Sequence, residues 1–275
     1  MRASFTSDGA LLEYVDSGEG MPVVFLHPTP LDHSYWRPLV KLLNGVRAIV
    51  PDFRGHGASQ LGTNLPVGGF ALVPDAPVLT MARLAEDVLT LLDSLGVQHA
   101  AFVGCSIGGY VLLELWRRAP SRMRAMAFVC SKPQADGEAA IAKRADNIAR
   151  VRSEGVSGFL DTMANTLPGV TARAQRPQLV GEVRSTMTLT AEAVVAVQAG
   201  LATRPDSLPT VATIDVPVLA IAGGEDGSVT PLDMMAFQEV PGGCEWHLIP
   251  EAGHLAAFEQ PQVAADLLSG WLRKL

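Results

Sequence analysis

The sequence predicts an α/β protein: a mostly parallel, doubly wound sheet with a helical cap inserted into it. Two patterns carry this prediction. Short apolar runs alternate with segments of helical period, and strands separated by helices pair in parallel. One stretch, 134–210, breaks the alternation with several helical segments and no clear strand. The chain is also long enough, at 275 residues, to bury a large core as one unit, and 48% hydrophobic against 18% charged residues argues for a folded chain.

Residues 3–15 read as a hairpin with Asp8-Gly9 as its turn. Pro22-Val23-Val24-Phe25-Leu26 and Arg47-Ala48-Ile49-Val50 are runs of the kind a strand covered on both faces requires. Residues 80–95 have helical period, with Leu84, Val88, Leu91, Leu92 and Leu95 on one face and Gly96 as C-cap. Ala100-Ala101-Phe102-Val103 is a further strand, and a helix from Ile107 to Arg118 follows it, stopped by Pro120. Met126 to Cys130, Val216 to Ala222 and Trp246 to Ile249 complete the strands, and a helix from Pro261 to Arg273 closes the chain.

Helical stretches fall around 137–154, 156–166, 176–187 and 190–202. One crossover rarely needs so many helices. The block is read as a cap spanning 134–210, set into a core made of 1–133 and 211–275. A net charge of −7 weighs against nucleic-acid binding, which needs a basic surface. The sequence shows neither an apolar leader nor a run long enough to span a membrane. Cys105, Cys130 and Cys244 are odd in number and scattered, so the expectation is a reducing cytoplasm without a disulfide framework.

The strongest chemical signal is Gly104-Cys105-Ser106-Ile107-Gly108-Gly109, directly after a strand and directly before a helix. This is the G-x-S-x-G nucleophile elbow in the context it requires. Glycines on both sides let the backbone pass closely, leaving the Ser106 hydroxyl exposed at the carboxyl end of the sheet. The Ile107 amide points to the same place and can bind an oxyanion. Cys105 reads as a small buried filler.

A serine alcohol needs a base, and the order after such an elbow is acid, then histidine. Asp226 follows a strand in Gly223-Gly224-Glu225-Asp226, and His254 follows the next strand in Glu251-Ala252-Gly253-His254. Glu225 is the rival acid, read as a solvated loop carboxylate; turn chemistry does not decide between the two. In Leu26-His27-Pro28-Thr29-Pro30 both prolines lack an amide hydrogen, so Thr29 is the nearest backbone donor for a second oxyanion contact. His27 reads as a loop organiser, and His33, His99 and His247 as local hydrogen-bonding residues. No pattern of metal-ligand spacing appears, and no cofactor is called for.

With these residues in view, the sequence resembles the α/β-hydrolase fold superfamily over nearly its whole length. It is similar to the branch that holds esterases, enol-lactonases, cofactor-free haloperoxidase-like perhydrolases and carbon–carbon bond hydrolases. Leu26-His27, Asp52-Phe53-Arg54-Gly55-His56-Gly57-Ala58-Ser59, the elbow at Ser106, Gly223 to Asp226 with Thr230-Pro231, and Gly253-His254 carry the likeness. The resemblance implies a structural role for residues 52–59 and no catalytic role for His56. Three departures stand out: Pro28 where the family usually has glycine, a long stretch from Gly62 to Leu79 that could border the entrance, and a slightly long gap from Asp226 to Pro231.

The leading expectation is hydrolysis of a small hydrophobic carboxylic ester or lactone through an acyl-enzyme. Ser106 would be the nucleophile, His254 the base, Asp226 the orienting acid, and the amides of Thr29 and Ile107 the oxyanion hole. Phe159, Met163, Leu167, Met187 and Leu189 read mostly as packing, with one or two lining an acyl pocket. Carbon–carbon hydrolysis or perhydrolysis by the same triad, and a ligand receptor with a vestigial triad, remain alternatives.

Overall fold

The computed structural model describes all 275 residues, Met1–Leu275. Eight strands form one sheet: β1 (Arg2–Ser7), β2 (Ala10–Gly18), β3 (Met21–Leu26), β4 (Val46–Pro51), β5 (Ala100–Cys105), β6 (Met123–Val129), β7 (Val218–Gly223) and β8 (Cys244–Ile249). Their spatial order is β1-β2-β4-β3-β5-β6-β7-β8. β1 pairs antiparallel with β2, and β2 with β4; every other pairing is parallel. The helices are α1 (Arg37–Val40), α2 (Met81–Ser94), α3 (Ile107–Arg118), α4 (Glu138–Glu154), α5 (Ser157–Thr166), α6 (Val170–Gln175), α7 (Leu179–Ser185), α8 (Ala191–Ala202), α9 (Leu208–Val211), α10 (Pro231–Met234), α11 (Ala256–Glu259) and α12 (Pro261–Leu272).

The antiparallel edge follows from the first turn. Asp8 and Gly9 both take positive φ, 43° and 74°, the geometry of a two-residue hairpin whose twist matches its strands. All six residues of β5 and of β7 are buried, as continuous apolar runs require when helices cover both faces. α2 starts where Thr80 accepts the Arg83 amide through its side chain, and buries Leu84, Val88, Leu91 and Leu92. It packs on α3, while α1 packs on α12.

Six helices, α4 to α9, connect β6 to β7, with α4 lying along α8 and α5 against α7. Three of the helical stretches expected here occur within a residue or so of their anticipated ends. The fourth, expected over 176–187, begins only at Leu179, and α6 precedes it unanticipated. Pro177 is the reason: the residue before a proline avoids the helical region, and Arg176 sits at φ −129°, ψ 81°. No helix is long and apolar enough to cross a membrane.

Candidate active site

Ser106 is the junction of β5 and α3. Its φ of 53° and ψ of −117° form a strained conformation for a residue with a Cβ, of the kind that persists where surrounding structure enforces it. The enforcement is visible. A Cβ at Gly104 would run into the backbone of Gly108, and one at Gly108 into the carbonyl of Leu26. The Ser106 amide donates to Val129 O at 3.1 Å, and Ser131 Oγ donates to Ser106 O at 2.8 Å, tying the turn to the end of β6. Ile107 is the first residue of α3, so no intrahelical carbonyl is available to its amide.

β7 and β8 are neighbours, with Gly223 opposite Ile249. The loops that leave them meet, bringing together two residues 28 positions apart: His254 Nδ1 donates to Asp226 Oδ2 at 2.7 Å. A carboxylate only accepts, so Nδ1 carries the hydrogen and Nε2 is left as the basic nitrogen. Asp226 Oδ1 accepts from the amides of Ser228 (2.7 Å) and Val229 (3.0 Å). Burial pushes the Asp226 carboxyl up, but the His254 contact and these amides outweigh it and hold the group below its usual range. The long gap after Asp226 is therefore a turn that satisfies its second oxygen.

Glu225 is not the solvated loop carboxylate that the sequence suggests. It accepts from the Thr171 amide at 2.9 Å and from the Thr171 hydroxyl, in the first turn of α6. Those bonds engage both its oxygens, and the His254 ring is hydrogen-bonded to Asp226 instead.

His27 donates from Nδ1 to Pro28 O at 3.0 Å and accepts at Nε2 from the Phe53 amide, also at 3.0 Å. It organises the loop, as expected. His56 donates from Nδ1 to Arg54 O and accepts at Nε2 from Thr29 Oγ1, both at 2.9 Å. The Thr29 amide itself donates to no protein acceptor. Cys105 is fully buried, takes a 3.2 Å hydrogen bond from the Tyr35 hydroxyl, and has its thiol pushed up by burial. Asp32, His33 and Asp52 gather three potential metal ligands, but His33 donates its Nδ1 hydrogen to Asp52 at 2.9 Å and Asp32 accepts from the Ser34 amide.

Ser106, His254 and Thr29 line one cavity of about 290 Å³, at the lower end of the range for small-molecule sites. Phe159, Met163, Leu167, Leu201 and Val229 form its apolar side. Met187 and Leu189 are buried elsewhere, and none of residues 62–79 reaches the cavity. That segment folds on itself, Val78 N donating to Pro66 O at 2.8 Å, and ties to α8 through Leu79 N and Ala196 O at 3.0 Å. It does not border the entrance. The other side of the cavity is polar, with Lys132, Asp136, Lys143, Arg144, Asn147 and Gln198. Sequence reasoning missed these six; the spacing of Lys143, Arg144 and Asn147 on a single helix face was the available signal. A wider, open groove of about 670 Å³ beside Trp116, Arg117 and Thr213 contains none of the residues above.

The chain belongs to the alpha/beta hydrolase fold family, which matches residues 21–261. The 3-oxoadipate enol-lactonase 1 of Acinetobacter baylyi is 27% identical over 272 residues, 95% of this chain and 92% of that relative. A thermophilic esterase from Thermogutta terrifontis has a similar structure, with a TM-score of 0.88 at 29% identity over 100% of this chain and 98% of its own. The enol-lactonase from Burkholderia xenovorans LB400 gives 0.86 at 23% identity over 98% and 100%, a likeness of fold.

Proposed function

We propose that the protein is a serine hydrolase of small carboxylic esters or lactones. The 2.7 Å bond between His254 Nδ1 and Asp226 Oδ2, in one cavity with a serine held at positive φ, carries this reading. Ser106 Oγ attacks the carbonyl carbon while His254 Nε2 takes its proton. Asp226 fixes the imidazole tautomer and stabilises the imidazolium that forms. The amides of Thr29 and Ile107 receive the oxyanion, with His56 anchoring the Thr29 side chain. His254 then gives its proton to the departing alkoxide. Water, deprotonated by the same nitrogen, cleaves the acyl-enzyme. Residues 134–210 serve as a cap over the core formed by 1–133 and 211–275, because their side chains supply most of the cavity wall opposite Ser106.

The esterase and enol-lactonase relatives support the substrate class. The test is hydrolysis of p-nitrophenyl acetate and butyrate by the purified protein beside Ser106→Ala. Turnover that disappears in the variant supports the reading. Equal turnover in both proteins overturns it.

A further inference from the structure

The face of α4 turned to the cavity is polar where a helix packed on a core carries its apolar stripe. Ala140, Lys143, Arg144 and Asn147 stand at i, i+3, i+4 and i+7, and all four line the cavity, while Ile148 and Val151 are the residues α4 buries. Lys132, just past β6, lines the same space. The chain has only four lysines, and two of them stand here.

The charges do not cancel. Asp136 is shared by Arg144 Nε at 3.0 Å and Arg204 Nη1 at 2.8 Å. Lys132 has only Asp233, at 3.8 Å, and the other Asp233 oxygen is engaged by the Thr230 amide and hydroxyl at 2.9 Å. Lys143 has no carboxylate within 4 Å. Four cations thus face two carboxylates. The Arg144 guanidinium is also held in place, its Nη1 donating at 3.3 Å to Oε1 of the buried Gln198, which accepts from Asn147 Nδ2 at 3.2 Å as well. A net charge of −7 makes the surface as a whole unattractive to anions, so this local excess of positive charge is a departure from the protein's own field.

We propose that this wall is a carboxylate-binding subsite, and that the substrate is an ester or lactone carrying a carboxylate remote from the scissile bond. The subsite rests on the hydrolase reading for its substrate. Lys132, Lys143 and Arg144 receive the anion, while Phe159 and Met163 cover the chain that joins it to the reacting carbonyl. A guanidinium already oriented by Asp136 and Gln198 loses little further freedom when the carboxylate docks.

Monomethyl succinate and methyl butyrate share the methyl ester and a four-carbon acyl chain and differ in whether that chain ends in a carboxylate or a methyl, so they test this directly. The expected result is a kcat/KM for monomethyl succinate about tenfold or more above that for methyl butyrate, the scale of a charge-assisted hydrogen bond. The ratio should shrink with added salt. In Lys132→Gln/Lys143→Gln it should fall to about one or below, and in Lys41→Gln, at an exposed lysine outside the cavity, it should hold. A parent enzyme that prefers methyl butyrate, or a ratio untouched in the double variant, overturns the proposal. Calorimetric titration of both esters into Ser106→Ala separates this outcome from a failure of the hydrolase reading. Monomethyl succinate should bind there more tightly than methyl butyrate, and the difference should vanish when both lysines are replaced; equal binding of the two esters overturns the subsite whatever the turnover.

Discussion

The backbone amide of His254 donates to the carbonyl of Leu167 at 2.9 Å, so the loop that bears the histidine hangs from the corner between α5 and α6. Glu259 completes the junction from beneath. Its Oε2 accepts from the amides of Gly169 and Gly253, each at 2.9 Å, and its Oε1 from Leu255 at 3.0 Å. The corner between α5 and α6 and the histidine loop therefore share one buried carboxylate.

Glu259→Ala should remove the acceptor of three buried amides. Each buried group left unpaired costs about 1–3 kcal/mol, so a loss of about 3 kcal/mol or more in unfolding free energy is expected by urea denaturation. Glu259→Gln keeps one carbonyl oxygen and should fall between. Folded Glu259→Gln should also lose kcat on a simple ester with little change in KM, because the histidine is misplaced rather than the cavity. An unchanged kcat would limit Glu259 to holding the fold.

Asp226 and Glu225 are adjacent in sequence yet serve different elements, and substitution should separate them. Asp226→Asn takes away the acceptor that fixes the His254 tautomer, and in a comparable triad this costs about ten-thousandfold in kcat. Glu225→Gln loses bonds to Thr171 at the start of α6 and should leave kcat near the parent value. Steady-state rates on p-nitrophenyl butyrate decide it, and equal losses would reassign the acid.

Much of this arrangement could be read before the fold was known, for local reasons. The elbow, the hairpin turn and the buried strands are fixed by nearest neighbours: glycines flanking Ser106, Asp8-Gly9, and apolar runs of strand length. Asp226 and His254 were legible because both follow strands that end at the same edge. The fate of Glu225 was not, since its partner Thr171 lies 54 residues away on a helix that the sequence did not reveal. The polar wall was missed for the same reason. Lys143, Arg144 and Asn147 share one face of α4, and only when α4 is laid along α8 does that face enclose a cavity. Gly62 to Leu79, placed at the border of the entrance because of its length, is tied instead to itself through Pro66 and to α8 through Ala196.

Arg54, in the stretch read as a structural loop, is 1% exposed. It meets Asp87 through Nε at 2.6 Å and Nη2 at 2.7 Å, and Nη2 also donates to Ser7 O at 2.7 Å. Burial pushes the Asp87 carboxyl up even with this partner present. Arg54→Met leaves the buried carboxylate without its cation, with only the Ser7 hydroxyl still donating to it at 2.7 Å, and should cost about 3–5 kcal/mol in chemical denaturation. Arg54→Met/Asp87→Leu should regain much of that, since neither charge then needs a partner. A single variant as unstable as the double one would mean that packing, not charge, sets the loss.

The histidines under the Thr29 loop should give the protein a defined acid sensitivity. Burial, aided by repulsion from His56, pushes His27 down to about 3, and burial also lowers His56. Both ring acceptors, toward the Phe53 amide and the Thr29 hydroxyl, would have to be given up on protonation. In the unfolded chain these imidazoles titrate near 6.5, so between that pH and about 3 the unfolded state binds more protons than the folded one. The stability they contribute is complete above 6.5 and drains as the pH falls, by about 1.4 kcal/mol per pH unit for each fully affected histidine. His33 acts with the opposite sign. Its hydrogen bond to Asp52 raises its pKa, so its added stability is complete below 6.5 and is lost only at higher pH; it cannot cancel the acid slope. Asp226, held below its usual range, enters near pH 4 and below, whereas Asp87 and Glu259, pushed up by burial, offset part of the acid slope equally in the parent and in a histidine variant. Urea unfolding at pH 6.5, 6.0, 5.5 and 5.0 isolates the effect: the parent should lose stability steadily across this window, and His27→Gln, whatever its starting stability, should lose it less steeply. Parallel slopes in the two proteins would mean that His27 is not held neutral in the fold.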